Sequence, residues 1–178
     1  MALITAIDSF LPWLFSQIRN PILDSVMVAL SFLGDGGIIW IAAIVAMLIS
    51  KKYRRAGVAA AISLLLCFVL GNFVIKPLVG RIRPCNANPL LELLIERPDD
   101  FSFPSMHTAT AFSVAVIILL QSRALGIPAI ILAFFVALSR VYLHVHYTTD
   151  ILAGMFFGSL FALAFYCVFF KIKKVNNS

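Results

Sequence analysis

Charge is scarce in this chain: of 178 residues, 12% are Asp, Glu, Lys or Arg, while 62% are hydrophobic. A soluble domain of this size has too little interior to hide that much apolar surface, so a soluble globular fold is excluded. Cysteine is scarcer still, and Cys67, Cys85 and Cys167 stand apart with neither pairing nor metal-ligand spacing. No carboxylate cluster or Cys/His set suggests a metal, and no cofactor is expected. Solenoid-type repeats and low-complexity tracts are missing. The opening Met-Ala-Leu-Ile-Thr-Ala-Ile-Asp has no basic region, so no cleavable signal peptide is expected. A net charge of +6 could suggest an anionic partner, yet much of it sits in short loops where membrane topology explains it. No nucleic-acid partner is expected. The reading is an all-α polytopic membrane protein, with residues 1–178 forming one domain.

Residues 1–20 mix Phe10, Leu11, Trp13, Leu14 and Phe15 with Asp8, Gln17 and Arg19, then stop at Asn20-Pro21. This predicts an amphipathic segment lying in the membrane interface, with a frayed first half of helix one as the alternative. Ile22–Leu33 and Ile38–Ser50 are apolar runs either side of Gly34-Asp35-Gly36-Gly37. We expect them to be helices one and two joined by a glycine turn; a single kinked span is the weaker alternative. Ala56–Ile75 has no charge over its whole length, enough for a full crossing. Thr108–Ser122 and Ala124–Ser139 are spans four and five, hinged at Arg123 through Pro128, and Ile151–Phe170 is the sixth. A six-helix transmembrane bundle results. With six crossings, Arg19, Lys51, Lys52, Arg54, Arg55, Arg123, Lys171, Lys173 and Lys174 fall on one side, which the positive-inside rule makes the cytoplasm.

The opposite side collects Lys76, Arg83, His107, Arg140, His146 and Asp150. Ionisable groups bordering hydrocarbon sequence are costly, so they mark a functional site before they mark packing. An anion held at the outer surface is the simplest reason for basic residues there. They fall in three clusters. Lys76 and Arg83-Pro84 close span three; Phe103-Pro104-Ser105-Met106-His107 opens span four, where a helix N-terminus would face an anion. Ser139-Arg140 and His146 through Asp150 lie between spans five and six. His146 and Asp150 are four apart, so a helical segment would let the carboxylate hold one ring nitrogen. Lys76, Arg83, Ser105 and Arg140 offer donors enough for a phosphoryl group, with His107 and His146 beside them.

The pattern Lys76-x6-Arg83-Pro84, Pro104-Ser105-x-His107, Ser139-Arg140-x5-His146-x3-Asp150 resembles the type 2 phosphatidic acid phosphatase family. The likeness runs from Lys76 onward; residues 1–50 contribute span positions alone. It departs at Met106, where the family most often has Gly, and at His144 and Thr148, where Gly and Pro are frequent. The resemblance implies metal-independent hydrolysis of a phosphate ester. His146 would attack phosphorus, Asp150 would fix its tautomer, and His107 would protonate the leaving oxygen and later activate water. Lys76, Arg83, Ser105 and Arg140 would hold the non-bridging oxygens.

The leading function is therefore a multi-pass plasma-membrane lipid phosphatase, its active site on the extracytoplasmic face and its partners a lipid phosphate and the bilayer. By analogy with the family, an undecaprenyl-type diphosphate ranks first, with phosphatidylglycerophosphate and phosphatidic acid close behind. A lipid phosphotransferase and a non-enzymatic lipid translocase are the alternatives, though binding alone would not need His107, His146 and Asp150. Outside the motifs, His144 is read as an outward-facing residue and Arg81 as a headgroup or loop contact. Glu92, Glu96, Asp99 and Asp100 are read as a solvated loop, and Asp24 and Asp35 as helix caps at most.

Overall fold

The structure, a computed structural model, describes residues 2–170, and every regular element in them is a helix. Helix α1 (Ala2–Ile18) is followed by α2 (Pro21–Gly34). Asn20 starts α2 by accepting from the Ile22 and Leu23 backbone N–H groups, while Pro21 fills a first-turn position that needs no donor. A tight turn, Asp35–Gly37, leads into α3 (Ile38–Ile49). Helix α4 (Arg54–Leu70) widens into a π-turn at Gly71–Ile75 and closes with the single turn α5 (Lys76–Val79). A further single turn, α6 (Pro84–Ala87), precedes α7 (Met106–Gln121), α8 (Arg123–Tyr142) and α9 (Thr148–Phe170).

Together α2 and α3 make one broken passage, not the two antiparallel spans expected of the glycine turn. Asp24 accepts a 2.6 Å hydrogen bond from Tyr142 at the end of α8. Gly34 packs on Val136, lower on the same helix. Met47 then shares a cavity wall with Leu125, near the start of α8. Successive positions thus run down α8 in reverse, as a single antiparallel passage must. The break bends because Gly36 and Gly37 take φ of 59° and 68°, which costs glycine no steric strain. Among the described residues the chain therefore passes through the bundle five times, as α2–α3, α4–α5, α7, α8 and α9, one fewer than expected. Length agrees, since neither α2 nor α3 alone covers ~30 Å of hydrocarbon at ~1.5 Å per residue.

Helix α1 lies over the ends of α8 and α9. Asp8 accepts from the Thr149 backbone N–H at 2.9 Å and hydroxyl at 2.8 Å, and Phe15 meets Tyr142 edge-on at 5.4 Å between centroids. Phe10 and Trp13 stay exposed, as suits an interfacial segment. Arg19 is bound to Asp24 at 3.2 Å on this same end, so its expected grouping with Lys51 is corrected. Lys51, Lys52, Arg54, Arg55 and Arg123 do share the opposite end, where Arg55 donates to the Phe169 carbonyl at 2.7 Å. Lys171, Lys173 and Lys174 lie outside the described residues.

Small residues let α7 run through the centre. Ala109, Ala111 and Ala115 are buried there, and Gly158 of α9 faces it so closely that a Cβ would lie 2.3 Å from the Ala109 carbonyl oxygen. The hinge expected over Arg123–Pro128 shrinks to Ser122 between α7 and α8, and Pro128 sits inside α8.

Candidate active site

Four chain segments deliver the predicted residues to one end of the bundle. Lys76 opens α5 directly after the π-turn, and Arg83 directly precedes α6. His107 is in the first turn of α7, Arg140 in the last turn of α8, and His146 in the connection to α9. Lys76, Arg83, His107, Arg140 and His146 line a common cleft of about 620 Å³. Val28, Phe32, Leu64 and Phe68 form its apolar side, where Phe32 and Phe68 are exposed on the bundle surface. Asp150 and Ser105 stand behind the cleft wall, both fully buried.

The segment 139–150 is not one helix. Helix α8 ends at Tyr142, His144 turns the chain with φ 59°, and helix resumes at Thr148. That left-handed conformation explains why glycine suits position 144 in similar proteins. Pairing of His146 with Asp150 survives because the carboxylate reaches back over the helix start, accepting from the Tyr147 N–H at 2.9 Å. His146 Nδ1 stands 3.4 Å from Asp150 Oδ2, and Nε2 stands 3.0 Å from Arg83 Nη1. A guanidinium only donates, so Nε2 presents a lone pair and the ring proton sits on Nδ1, toward the carboxylate. Burial, against the Asp150 hydrogen bond and with the Arg83 and Arg140 charges, pushes the imidazole down to about 3. His146 is therefore a neutral imidazole with its lone pair on the cleft-facing, arginine-bound nitrogen.

Asp150 is itself held from two further directions, beyond His146 and the Tyr147 N–H. Arg81 Nη1 donates to Oδ1 at 2.6 Å, and the Ser102 hydroxyl donates to Oδ2. Arg81 also reaches Asp8 at 2.5 Å and Thr149 at 2.7 Å, and stacks 3.9 Å from the Tyr147 ring centroid. The expected headgroup or loop contact for Arg81 is corrected: it brackets Asp8 of α1 to Asp150, the carboxylate beside His146.

Asp100 is the second correction. It is not merely part of a solvated loop, for its carboxylate bonds Lys76 and takes Arg83 Nη2 at 2.5 Å. Burial alone would raise this carboxyl, but Lys76 and Arg83 outweigh it and hold it below the usual carboxylate range. Arg140 is tied differently: Nη1 donates to the Ser31 hydroxyl, while its buried Nε finds no acceptor among the described residues. An unsatisfied buried donor on a cation is costly, and an anion oxygen in the cleft would relieve it.

His107 Nε2 stands 2.7 Å from Asp35 Oδ1. Ser105 accepts from Thr108 at 3.0 Å, and its N–H donates to the Asp150 carbonyl at 3.1 Å, so it ties the α7 start to α9. Met106 is helical, so replacing the family's usual glycine needs no positive φ, and Gly71 in the π-turn leaves room for its sulfur. His144 is half-buried against the Tyr142 carbonyl at 2.9 Å and does not line the cleft. Sequence reasoning missed Asp8, Ser31, Asp35 and Ser102. The one available signal was acid within otherwise apolar stretches, at Asp8 and Asp35.

Known proteins resemble this chain in sequence and in fold. Over 180 aligned residues the chain is 32% identical to a lipid A 4'-phosphatase of Bacteroides thetaiotaomicron, covering 93% of this chain and 78% of that protein. It is 39% identical to an undecaprenyl-diphosphatase of Sulfolobus acidocaldarius over 82% of this chain and 69% of that one. The crystal structure of a transmembrane PAP2-type phosphatidylglycerolphosphate phosphatase from Bacillus subtilis superimposes with a TM-score of 0.75 at 27% identity, over 93% of this chain and 86% of that one. The family model of the PAP2 superfamily matches residues 52–174, which include all seven predicted site residues. On these grounds, the chain belongs to the PAP2 superfamily.

Proposed function

We propose that this phosphatase removes phosphate from a lipid phosphate or diphosphate headgroup through a phosphohistidine on His146. A neutral imidazole lone pair at His146 Nε2, on the cleft that Arg83, Lys76 and Arg140 line, carries the reading. Arg83 would swing from Nε2 onto a non-bridging oxygen as the phosphoryl group arrives, and Arg140 Nε would gain the acceptor it lacks. Nε2 then bonds phosphorus while the P–O bond to the leaving group breaks, and His107 supplies the proton that the leaving oxygen needs. Asp150 keeps the proton on Nδ1 and balances the charge that forms on the ring. In the second half His107 takes a proton from water, whose oxygen displaces Nε2 from phosphorus. Ser105 would act from the α7 N-terminus, beside the helix-end N–H groups.

A lipid suits the cleft because its apolar side, at Phe32 and Phe68, is exposed along the bundle where acyl or prenyl tails lie. Basic residues Lys51, Lys52, Arg54, Arg55 and Arg123 gather at the opposite end, which the positive-inside rule assigns to the cytoplasm. The site then faces the outer side of the plasma membrane. An undecaprenyl-type diphosphate is the preferred substrate, supported by the Sulfolobus relative; lipid A, phosphatidylglycerophosphate and phosphatidic acid are the competing headgroups.

The test is phosphate release by purified protein in detergent from these lipids offered in competition. Turnover should fall by at least ~10³-fold in His146→Ala, and an acid-labile phosphoenzyme should be trapped in the wild type. Appreciable turnover by His146→Ala, or label on serine, would overturn the mechanism. Preference for a monophosphate lipid would overturn the substrate assignment alone.

A further inference from the structure

We infer that Asp35 is the positioning residue of His107, so that the site contains two carboxylate–imidazole pairs rather than one. The inference deepens the phosphatase reading and rests on it. Asp35 Oδ1 stands 2.7 Å from His107 Nε2, a charge-assisted distance, and both residues line the cleft with Lys76, Arg83, Arg140 and His146. A carboxylate only accepts, so Nε2 carries a proton in either charge state of the ring. The other nitrogen, Nδ1, is left to exchange a proton with substrate. When it is protonated, Nδ1–H passes its proton to the leaving oxygen and the ring becomes neutral. When water attacks the phosphohistidine, Nδ1 takes the water proton and the cation reforms beside Asp35. The proton count closes over one turnover with no other group.

The backbone around Asp35 is shaped for this contact rather than for a bend alone. A Cβ at Gly34 would lie 3.0 Å from His107 Cδ2 and 2.8 Å from Val136 Cγ1, so the ring edge rests against bare backbone. Gly36 and Gly37 then turn with positive φ, leaving Asp35 at the apex beside the ring. Its own backbone N–H already caps α2 by donating to the Phe32 carbonyl, so the carboxylate is not needed for capping. One turn earlier Ser31 holds Arg140, and the end of α2 thus supports two residues of the opposing site.

Electrostatics require a partner of this kind. An imidazolium sharing a cleft with three cations needs a nearby anion to form at all. Asp100 is already engaged by Lys76 and Arg83, and Asp150 by Arg81, Ser102 and His146. Asp35 is the acid in contact with His107.

The experiment compares an alkyl phosphate lipid, whose leaving group needs a proton, with p-nitrophenyl phosphate, whose leaving group does not. Asp35→Asn should slow phosphoenzyme formation, read as a single-turnover rate, by roughly 10- to 100-fold on the lipid, the usual worth of an orienting partner, and by less than about 3-fold on the aryl ester, while the water step common to both slows equally. Asp35→Glu should recover a substantial part of the lipid activity. In a His107→Ala background, Asp35→Asn should cost nothing further, because it acts through the ring. Equal losses in the rate of phosphoenzyme formation on both esters, or additive losses in the double variant, would overturn the role of Asp35. Phosphoenzyme formation from the aryl ester doubles as the folding control for Asp35→Asn. A wild type that releases no phosphate from any lipid would instead overturn the phosphatase reading, a result that Asp35 variants cannot mimic.

Discussion

Asp100 grips Arg83 twice: its carboxylate takes Nη2 at 2.5 Å, and its backbone carbonyl takes Nε at 2.9 Å. The same guanidinium lies 3.0 Å from His146 Nε2. With Lys76 on its other oxygen, the carboxylate stands where two phosphoryl oxygens are proposed to bind. In the proposed mechanism, substrate and Asp100 therefore compete for the same two cations.

Removing that competitor should tighten anion binding. For Asp100→Asn the inhibition constant of vanadate and the KM for lipid phosphate should both fall by about 5-fold, the equivalent of the ~1 kcal/mol typical of a half-exposed ion pair. Steady-state kinetics in detergent measures both. A rise in both constants would show that Asp100 instead holds Lys76 and Arg83 in binding geometry.

Acid should destabilise the protein through His146. Its folded value of about 3 lies below the ordinary histidine value near 6.5, so between those pH values the unfolded chain binds a proton that the folded chain refuses. Stability then falls as pH drops across that window, with a limiting slope of about 1.4 kcal/mol per pH unit for this one group. Asp100 works in the same direction, since its depressed carboxyl stabilises above its ordinary pKa and loses that contribution on further acidification. Melting temperature measured between pH 6.5 and 4.5 should drop more steeply for the wild type than for His146→Gln. Parallel curves would contradict the buried neutral imidazole.

Arg81 should matter although it does not line the cleft. Arg81→Gln leaves Asp8 and Asp150 without their shared cation, and buried charges so abandoned are costly. A loss of roughly 10- to 100-fold in kcat with KM little changed is expected, because the proposed mechanism has Asp150 orient His146 rather than hold substrate. Protease sensitivity near the N-terminus should rise in parallel, as α1 loses its anchor. Full activity in this variant would show that Ser102 and the Tyr147 N–H suffice to place Asp150.

Packing of α9 on α7 is the mechanical base of the site. Gly158→Ala would place a methyl 2.3 Å from the Ala109 carbonyl oxygen, a backbone atom that cannot rotate away. Overpacking of this sort costs about 1–3 kcal/mol, so the melting temperature in detergent should fall by several degrees. An unchanged melting temperature would mean the two helices separate freely.

Much of this protein is readable from one dimension. Apolar runs located the passages, because hydrocarbon tolerates few charges, and for the same reason Lys76, Arg83, Arg140, His146 and Asp150 stood out. Hydropathy reports that a segment is apolar but not which way it runs. The Gly34–Gly37 break was thus compatible with a reversal or a bend, and contacts from Tyr142 down to Leu125 decided for the bend. Partners distant in sequence were equally hidden. Asp8 meets Thr149 across 141 positions, Arg140 meets Ser31 across 109, and Asp35 meets His107 across 72. By itself the sequence determined the membrane class, the passages from residue 54 onward and the five residues that line the cleft. Beyond the His146–Asp150 pair that their spacing announced, tertiary structure alone decided which acid answers each base, because a buried charge takes its partner from whatever helix packs beside it, and no local spacing records a neighbour on another helix.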